Sequence, residues 1–285
     1  MAFFKYQAHT GEKMGKMNKK TVTLVYFSPT TTTRTVLEEI AKGTGYDMAD
    51  VFDITLSQAR EKILPEIDSS LVVFGAPVYS GRLPSLAADY FKKLSAPGIC
   101  AVPVVLYGNR EYDDALLELK DICIQCGCQP LAAGAFIGEH SFSTNQTPIA
   151  ESRPDKSDLA SAFEFGRKIA RLMKSTAKGF FCADLDVPGN FPYKEPTIPN
   201  KVPFIEVNED CTACGTCVTV CPVEAVDEKD GFCTMDDICI HCCACIKACP
   251  ESARRMKEGH FKDIAARLHK ACDKRKDPEL FFASR

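Results

Sequence analysis

The sequence predicts an α/β domain with a doubly wound, five-stranded parallel sheet, followed by a small α+β domain. Residues 21–175 alternate β-rich apolar runs with amphipathic segments, as strands and helices do in a parallel sheet. Ten of the 16 cysteines lie between Cys211 and Cys249, inside a unit at residues 205–255. Because no secretory signal is recognisable, so many cysteines indicate metal ligation rather than disulfides.

Five runs are predicted to form the strands of the first domain. Most of these runs are apolar throughout, as expected for strands that are buried on both faces of a sheet. Helical segments separate them, so the strands are expected to be parallel, with crossovers between them. The predicted strands are residues 21–27, 48–54, 71–79, 101–107 and 131–137.

A hydroxyl-rich loop follows the first predicted strand and leads into a helix. Residues 28–34, here called the phosphate loop, read Ser-Pro-Thr-Thr-Thr-Thr-Arg, and residues 35–42 have helical periodicity. Backbone N–H groups at a helix start and nearby hydroxyls can bind a phosphate. The segment therefore predicts a phosphate site, with an ordinary threonine-rich loop as the alternative.

Three further loops are expected at the same edge of the sheet, since the carboxyl ends of parallel strands meet there and ligands bind beyond them. These loops are residues 77–81, 108–114 and 138–143. The predicted cofactor-binding residues are Ser28, Thr30, Thr31, Thr32, Thr33, Pro77, Val78, Tyr79, Ser80, Gly81, Gly108, Asn109, Arg110, Tyr112 and Asp113.

The cysteine-rich unit is an internal repeat with an offset of 28 residues, and both halves read C-x2-C-x2-C-x3-C-P. In this run three thiolates surround one [4Fe–4S] cluster, and the fourth cysteine opens a helix and ligates the other cluster. The first predicted ligand set is Cys211, Cys214, Cys217 and Cys249, and the second is Cys239, Cys242, Cys245 and Cys221. A zinc site would need only four thiolates, so it explains two interlocked repeats poorly.

Two cysteines of the unit fall outside these sets. Cys243 falls on Gly215 and Cys233 falls on Ile205, and neither partner position is a ligand. Two interpretations of Cys243 stay open. It is either a small side chain where glycine would serve, or a thiol that tunes or rescues the second cluster.

Residues 205–255 resemble a two-cluster [4Fe–4S] ferredoxin, on the motif just described, and residues 21–175 resemble the flavodoxin family. A flavodoxin-like part followed by a two-cluster ferredoxin is the order of parts in a fusion protein of anaerobic bacteria and archaea. The resemblance implies two [4Fe–4S] clusters, non-covalent FMN, and a soluble cytoplasmic flavo-iron–sulfur protein.

The flavodoxin resemblance rests on particular residues. The family's phosphate loop reads S/T-x-T-G-x-T, which Ser28, Thr30 and Thr33 match, whereas Thr31 replaces the glycine. A β-branched residue is a poor choice where a positive φ is needed. The family also packs aromatic residues on the flavin ring, and the corresponding residues are Tyr79 and Tyr112.

The remaining segments are predicted to be connecting or terminal parts. Residues 1–20 are expected to be a disordered arm, residues 176–204 carry five prolines and are expected to be a linker, and residues 256–285 are expected to be a basic helix and tail. The net charge of −3 provides no global basic field for nucleic acid. No run approaches the length of a membrane span.

We expect an electron-transfer protein that links one-electron and two-electron redox partner proteins, including a low-potential donor or acceptor. The alternative is an FMN-dependent reductase of a small-molecule substrate, with His140 and Glu139 as candidate catalytic residues. A redox sensor is a third class, but no DNA-binding element supports it. The sequence leaves a homodimer open.

Overall fold

The computed structural model describes residues 20–62, 66–176, 184–195 and 202–284. The N-terminal arm expected at residues 1–20 lies outside these ranges, apart from its last residue. The linker expected at residues 176–204 lies only partly within them.

A parallel sheet forms the centre of the first domain. Its strands are β1 (Thr21–Tyr26), β2 (Asp47–Asp53), β3 (Leu71–Pro77), β4 (Cys100–Tyr107), the two-residue β5 (Gln129–Pro130) and β6 (Ala132–Ile137). The long strands lie in the order β2-β1-β3-β4-β6, and all neighbours among them are parallel. This is the flavodoxin-like strand order, so the predicted fold class is confirmed.

Helices cover both faces of this sheet. They are α1 (Thr32–Thr44), α2 (Ser57–Arg60), α3 (Ser85–Phe91), α4 (Ala115–Gln125) and α5 (Lys156–Thr176). Successive residues of β3 point to opposite faces: Phe74 packs with Phe91 in one core, and Val73 lies with Ile40 and Phe165 in the other. Both faces of the strand are buried, which explains why its sequence is apolar throughout.

The helices α1 and α5 pack closely because each has a glycine at the crossing. A Cβ atom on Gly43 would lie 2.0 Å from the carbonyl oxygen of Phe163, and one on Gly166 would lie 2.1 Å from that of Ile40. Any other residue would push the two backbones apart. The crossing lies in the last turns of α1, so it fixes against α5 the end of that helix that is opposite the phosphate loop.

The second domain has short elements that repeat. They are β7 (Ile205–Val207), α6 (Thr216–Thr219), β8 (Val226–Asp227), β9 (Cys233–Thr234), α7 (Ala244–Lys247) and β10 (Arg254–Met256). β10 pairs antiparallel with β7, and β8 pairs antiparallel with β9. Gly215 precedes α6 with φ 76°, and Cys243 precedes α7 with φ 60°, so the two halves also repeat in backbone conformation.

The C-terminal segment returns to the first domain. The helix α8 (His260–Ala271) packs on the second domain, and the strand β11 (Glu279–Phe282) then pairs antiparallel with β6 at the edge of the main sheet. The sequence predicts a helix and tail here but no strand. Four residues are too few for a periodic signal, and the pairing depends on an edge that the fold supplies.

Candidate redox-cofactor sites

Two cavities in the second domain are walled by cysteines. Each provides a similar amount of space, part of it open to solvent: about 310 Å³ around Cys211 and about 330 Å³ around Cys221. The first cysteine cavity is lined by Cys211, Cys214, Cys217 and Cys249, and the second by Cys221, Cys239, Cys242 and Cys245. Each set joins three cysteines of one motif to the last cysteine of the other.

The arrangement of these cysteines fits a cluster better than a single ion. Among the described residues, no three His, Cys, Asp or Glu side chains converge closely enough to hold one metal ion. The thiols instead stand around a space, and thiolates are the ligands that iron–sulfur clusters take. Both cavities therefore have the donor set for a four-iron cluster.

Cys243 also reaches the wall of the second cysteine cavity, although it is not part of the ligand set. It is 2% exposed, packs in a small core with Phe204 and Phe261, and its Sγ lies 3.8 Å from the carbonyl oxygen of His241. Burial raises the pKa of the Cys243 thiol well above its usual value. The surroundings are those of a packed apolar side chain.

The two cavities differ in exposure. Cys214 of the first cysteine cavity is exposed, and a hydrogen bond to the Thr216 hydroxyl lowers the pKa of its thiol. In the second cysteine cavity Cys242 is 7% exposed, and burial raises its pKa. Burial also raises the pKa of Cys239, to about 11. The first cavity therefore faces solvent, whereas the second lies against protein.

The first domain covers the second cysteine cavity. Ile240, between two cysteines of the second motif, packs against the apolar core beneath α3 and α4. Burial raises the pKa of Tyr79, and the thiols of Cys242, Cys243 and Cys239 raise it further. The loop at residues 77–81 therefore lies beside the second set of cysteines.

Polar contacts hold this covered side of the second domain in place. Lys247, on α7, forms an ion pair with Glu139 and donates a 2.8 Å hydrogen bond to the carbonyl oxygen of Ser143. Arg60, at the end of α2, donates to the carbonyl oxygen of Pro222, which follows a cysteine of the second cavity. The contacts lie on both sides of that cavity, so they set its position against the sheet.

The phosphate loop has the geometry of an anion site. Thr31 adopts φ 65°, the left-handed conformation that its family's glycine would take, at a cost of about 1–2 kcal/mol. Its carbonyl oxygen accepts from the Thr35 backbone at 3.0 Å, and the Ser28 hydroxyl accepts from the Arg34 backbone at 3.1 Å. These bonds leave the first N–H groups of α1 available to a ligand.

Thr33 carries an unsatisfied group in this loop. Its side chain is fully buried, yet its hydroxyl has no hydrogen-bond partner within the described part of the chain. An unpaired buried hydroxyl is unfavourable, so it indicates a partner from outside the chain. A phosphate oxygen satisfies this requirement, and the residues present therefore fit the phosphate of a flavin nucleotide.

The loops at residues 77–81 and 108–114 pack against each other. Gly81 has φ 84°, and a Cβ atom there would lie 2.1 Å from the Asp113 carboxylate. The Asp114 backbone N–H donates a 3.1 Å hydrogen bond to the Gly81 carbonyl oxygen. The predicted binding residues of these loops are thus brought together at the carboxyl edge of the sheet.

The structure gives Asn109 and Tyr112 a different role from the expected one. Tyr112 is 5% exposed, its ring lies 5.3 Å from that of Tyr107, and its hydroxyl bonds to Glu279. The buried Asn109 amide donates 2.8 Å hydrogen bonds to two carbonyl oxygens of the C-terminal segment. Both side chains are therefore hydrogen-bonded to the C-terminal segment. Tyr79 is left as the aromatic candidate for a flavin contact.

The candidate catalytic residues lie in the loop after β6. The His140 ring lies over Gly108, and its Nδ1 accepts a 3.0 Å hydrogen bond from the Phe142 backbone. Burial, with the nearby cations Arg110 and Lys247, lowers the pKa of His140 to about 4. The imidazole is therefore neutral near pH 7, and Nε2 carries its proton.

Sequence reasoning missed the residues that join the two domains. Lys247 and Glu139 are 108 positions apart, and Arg60 and Pro222 are 162 apart. Neither pair follows a periodicity or motif, because the contact exists only once both domains are folded. No signal in a single sequence would have found them.

Comparison with known proteins supports the assignment of the second domain. The family model described as "4Fe-4S binding domain" matches residues 205–227, which contain the first motif. No curated protein matches the chain. No helix in the described ranges is both long and apolar enough to cross a membrane.

Several solved structures are similar to the first domain. A flavodoxin from the domain Archaea is 14% identical over 54% of this chain and 99% of its own, with a TM-score of 0.36. Rubredoxin:oxygen oxidoreductase from Desulfovibrio gigas is 16% identical over 56% of this chain and 37% of its own, with a TM-score of 0.42. A flavodoxin from Streptococcus pneumoniae is 12% identical over 53% of this chain and 98% of its own, with a TM-score of 0.38. The fold assignment itself rests on the strand order of the sheet.

The strand order and the cysteine motif together define the class of protein. The chain joins a flavodoxin-like domain to a ferredoxin domain that carries a 4Fe-4S motif. The motif supports at least one [4Fe–4S] cluster.

Proposed function

We propose that the chain transfers electrons internally between two [4Fe–4S] clusters and FMN, and thereby links one-electron to two-electron redox partners. A cluster supplies one-electron chemistry, whereas a flavin takes up one or two electrons. The observation that carries this proposal is the position of the second cysteine cavity beside the loop at residues 77–81. That loop is at the edge of the sheet where this fold binds its ligand.

The chain's own residues have distinct tasks in this proposal. The Thr33 hydroxyl, the Ser28 side chain and the first backbone N–H groups of α1 hold the FMN phosphate. Tyr79 contacts the flavin ring and lies between it and the second cluster. Non-covalent binding is expected, because these contacts are hydrogen bonds and ring packing.

The two clusters have different neighbours and therefore different roles. The second cysteine cavity is covered by the first domain, so a cluster held there would be placed to exchange electrons with a flavin. Cys214 in the wall of the first cavity is exposed, so a cluster held there would be accessible to a partner protein. Nine acidic residues against two lysines in residues 205–250 favour a partner with a basic surface, which is attracted over a distance.

The reductase alternative has less support from the site. Glu139 is engaged by Lys247 and accepts a 3.0 Å hydrogen bond from the Ser152 backbone, so it serves the domain contact. His140 is neutral near pH 7, so it lacks the extra proton of an acid catalyst. A small-molecule substrate, a homodimer and a cytoplasmic location all stay predictions.

Cofactor analysis of the anaerobically purified protein tests this proposal. We expect about eight irons and eight inorganic sulfides per chain, which is two four-iron clusters, and one FMN released by acid. Reduction by a one-electron donor should bleach the clusters and the flavin in one preparation. Four or fewer irons in fully folded protein, or FAD in place of FMN, would refute the proposal.

A further inference from the structure

Arg254 is a buried charge that pairs with no carboxylate in the described ranges of the chain. It lies on β10 and is 2% exposed, and its neighbour Arg255, by contrast, is exposed and pairs with Glu206. Its guanidinium donates to the carbonyl oxygen of Phe232 and to the Thr234 hydroxyl. Its Nε–H group has no hydrogen-bond partner in the described part of the chain.

The internal repeat shows that the fold does not require an arginine here. With the offset of 28 residues, Arg254 falls on Val226. Both residues begin a short antiparallel strand and both are buried, since Val226 is 7% exposed. The first half of the repeat therefore fills this place with an apolar side chain, and the second half fills it with a cation.

The guanidinium lies between the two sets of cysteines. Arg254 lines the first cysteine cavity, which Cys217 also lines. Burial raises the pKa of the Cys217 thiol, and Arg254 opposes that rise. Burial likewise raises the pKa of Cys245, in the second cavity, and the nearby charge of Arg254 opposes that rise. One cation thus faces a cysteine from each site.

We propose that Arg254 is an electrostatic tuning residue shared by both clusters, which raises their reduction potentials and reduces the repulsion between them. A buried charge is stable only where opposite charge compensates it, and the thiolates of the two ligand sets are the anions that face this one. The inference rests on the proposed function, because it requires both clusters.

Reduction of the two clusters involves electron transfer alone. Each cluster accepts one electron from an external one-electron reductant, and no bond forms or breaks. The added negative charge is stabilised by the guanidinium, which keeps all its protons because an arginine side chain stays charged. Because the same cation acts on both clusters, its loss should make both harder to reduce.

Redox titration of the full chain tests the proposal, with EPR to follow each cluster. Arg254→Met removes the charge at similar length, and the matched control Arg255→Met removes the exposed neighbouring charge. We expect each cluster of the Arg254→Met protein to be about tenfold harder to reduce, which is about 59 mV more negative for a one-electron couple. Arg254→Lys and the control should stay near the wild-type potentials.

The outcomes separate the two proposals. Arg254→Met protein with about eight irons, the content of two clusters, and wild-type potentials would overturn the role of Arg254 alone. A wild-type protein with a single cluster would overturn the proposed function and this inference together. If the methionine variant does not assemble, Arg254→Val, which copies the residue of the first half of the repeat, provides the same readout.

Discussion

The Tyr112 hydroxyl donates a 2.9 Å hydrogen bond to the Glu279 carboxylate, which joins the loop after β4 to the last strand of the chain. The C-terminal segment makes further contacts with the first domain. The Arg153 guanidinium donates a 2.8 Å hydrogen bond to the Lys276 carbonyl oxygen, and β11 extends the sheet beside β6. The C-terminal segment therefore ties the second domain to the first. These ties favour one fixed arrangement of the two domains.

Tyr112→Phe should loosen this tie without removing the ring from the core. We expect the free energy of unfolding to fall by about 1–3 kcal/mol, because the partly buried contact with Glu279 is a hydrogen bond to a charged group. Chemical denaturation measures the change. Tyr193→Phe is the control, since it removes a similar 2.6 Å bond to Asp121 that does not involve the C-terminal segment. If only the Tyr193 variant released the segment to protease, the assigned role of Tyr112 would be contradicted.

Replacement of the adjacent cysteines Cys242 and Cys243 should have opposite effects on cluster content. Cys242→Ala should lose the second cluster, because it removes one thiolate of the second set. Cys243→Gly should keep both clusters, because Cys243 belongs to neither ligand set and φ 60° is a conformation that glycine adopts without cost. Iron and sulfide analysis distinguishes them, and loss of a cluster in Cys243→Gly would show that the ligand register is wrong.

The sequence predicted what depends on neighbouring residues and missed what depends on the folded surface. The strands β1, β3 and β4 were predictable because their apolar runs are continuous, and the cysteine sets were predictable because cluster ligation imposes a spacing. The role of Tyr112 was not predictable, because its partner Glu279 lies 167 residues away on a short edge strand. The position of Lys247 against Glu139 depends in the same way on the docking of two finished domains.

The hydroxyl of Thr33 should be needed for FMN binding. Thr33→Val keeps the shape of the side chain and removes a phosphate contact, which should weaken binding by about 1–3 kcal/mol. Thr23→Val is a matched control, because the buried hydroxyl of Thr23 on β1 also has no hydrogen-bond partner among the residues that the structure describes. That control should keep its FMN affinity. Fluorescence titration with FMN measures both, and equal affinities for the two variants would place Thr33 outside the phosphate site.

The ion pair between Lys247 and Glu139 should help to hold the domains together. Glu139→Gln removes the charge without touching the cysteine motif, and a half-exposed pair contributes up to about 1 kcal/mol. We expect faster exchange between docked and undocked domains, seen as slower internal electron transfer at low salt. The wild type should approach this behaviour at high salt, because salt screens the pair. Glu258→Gln, which breaks the exposed pair with Lys262, is the control and should leave transfer unchanged.

Internal electron transfer is the central claim, and its dependence on protein concentration tests it most directly. In stopped-flow experiments the full chain is mixed with a one-electron reductant, and reduction of FMN is followed after the clusters have been reduced. If the second cluster is held beside Tyr79, this rate will stay constant when the protein is diluted, because donor and acceptor belong to one chain. A rate that falls in proportion to protein concentration would mean that electrons pass between molecules, and it would contradict the account.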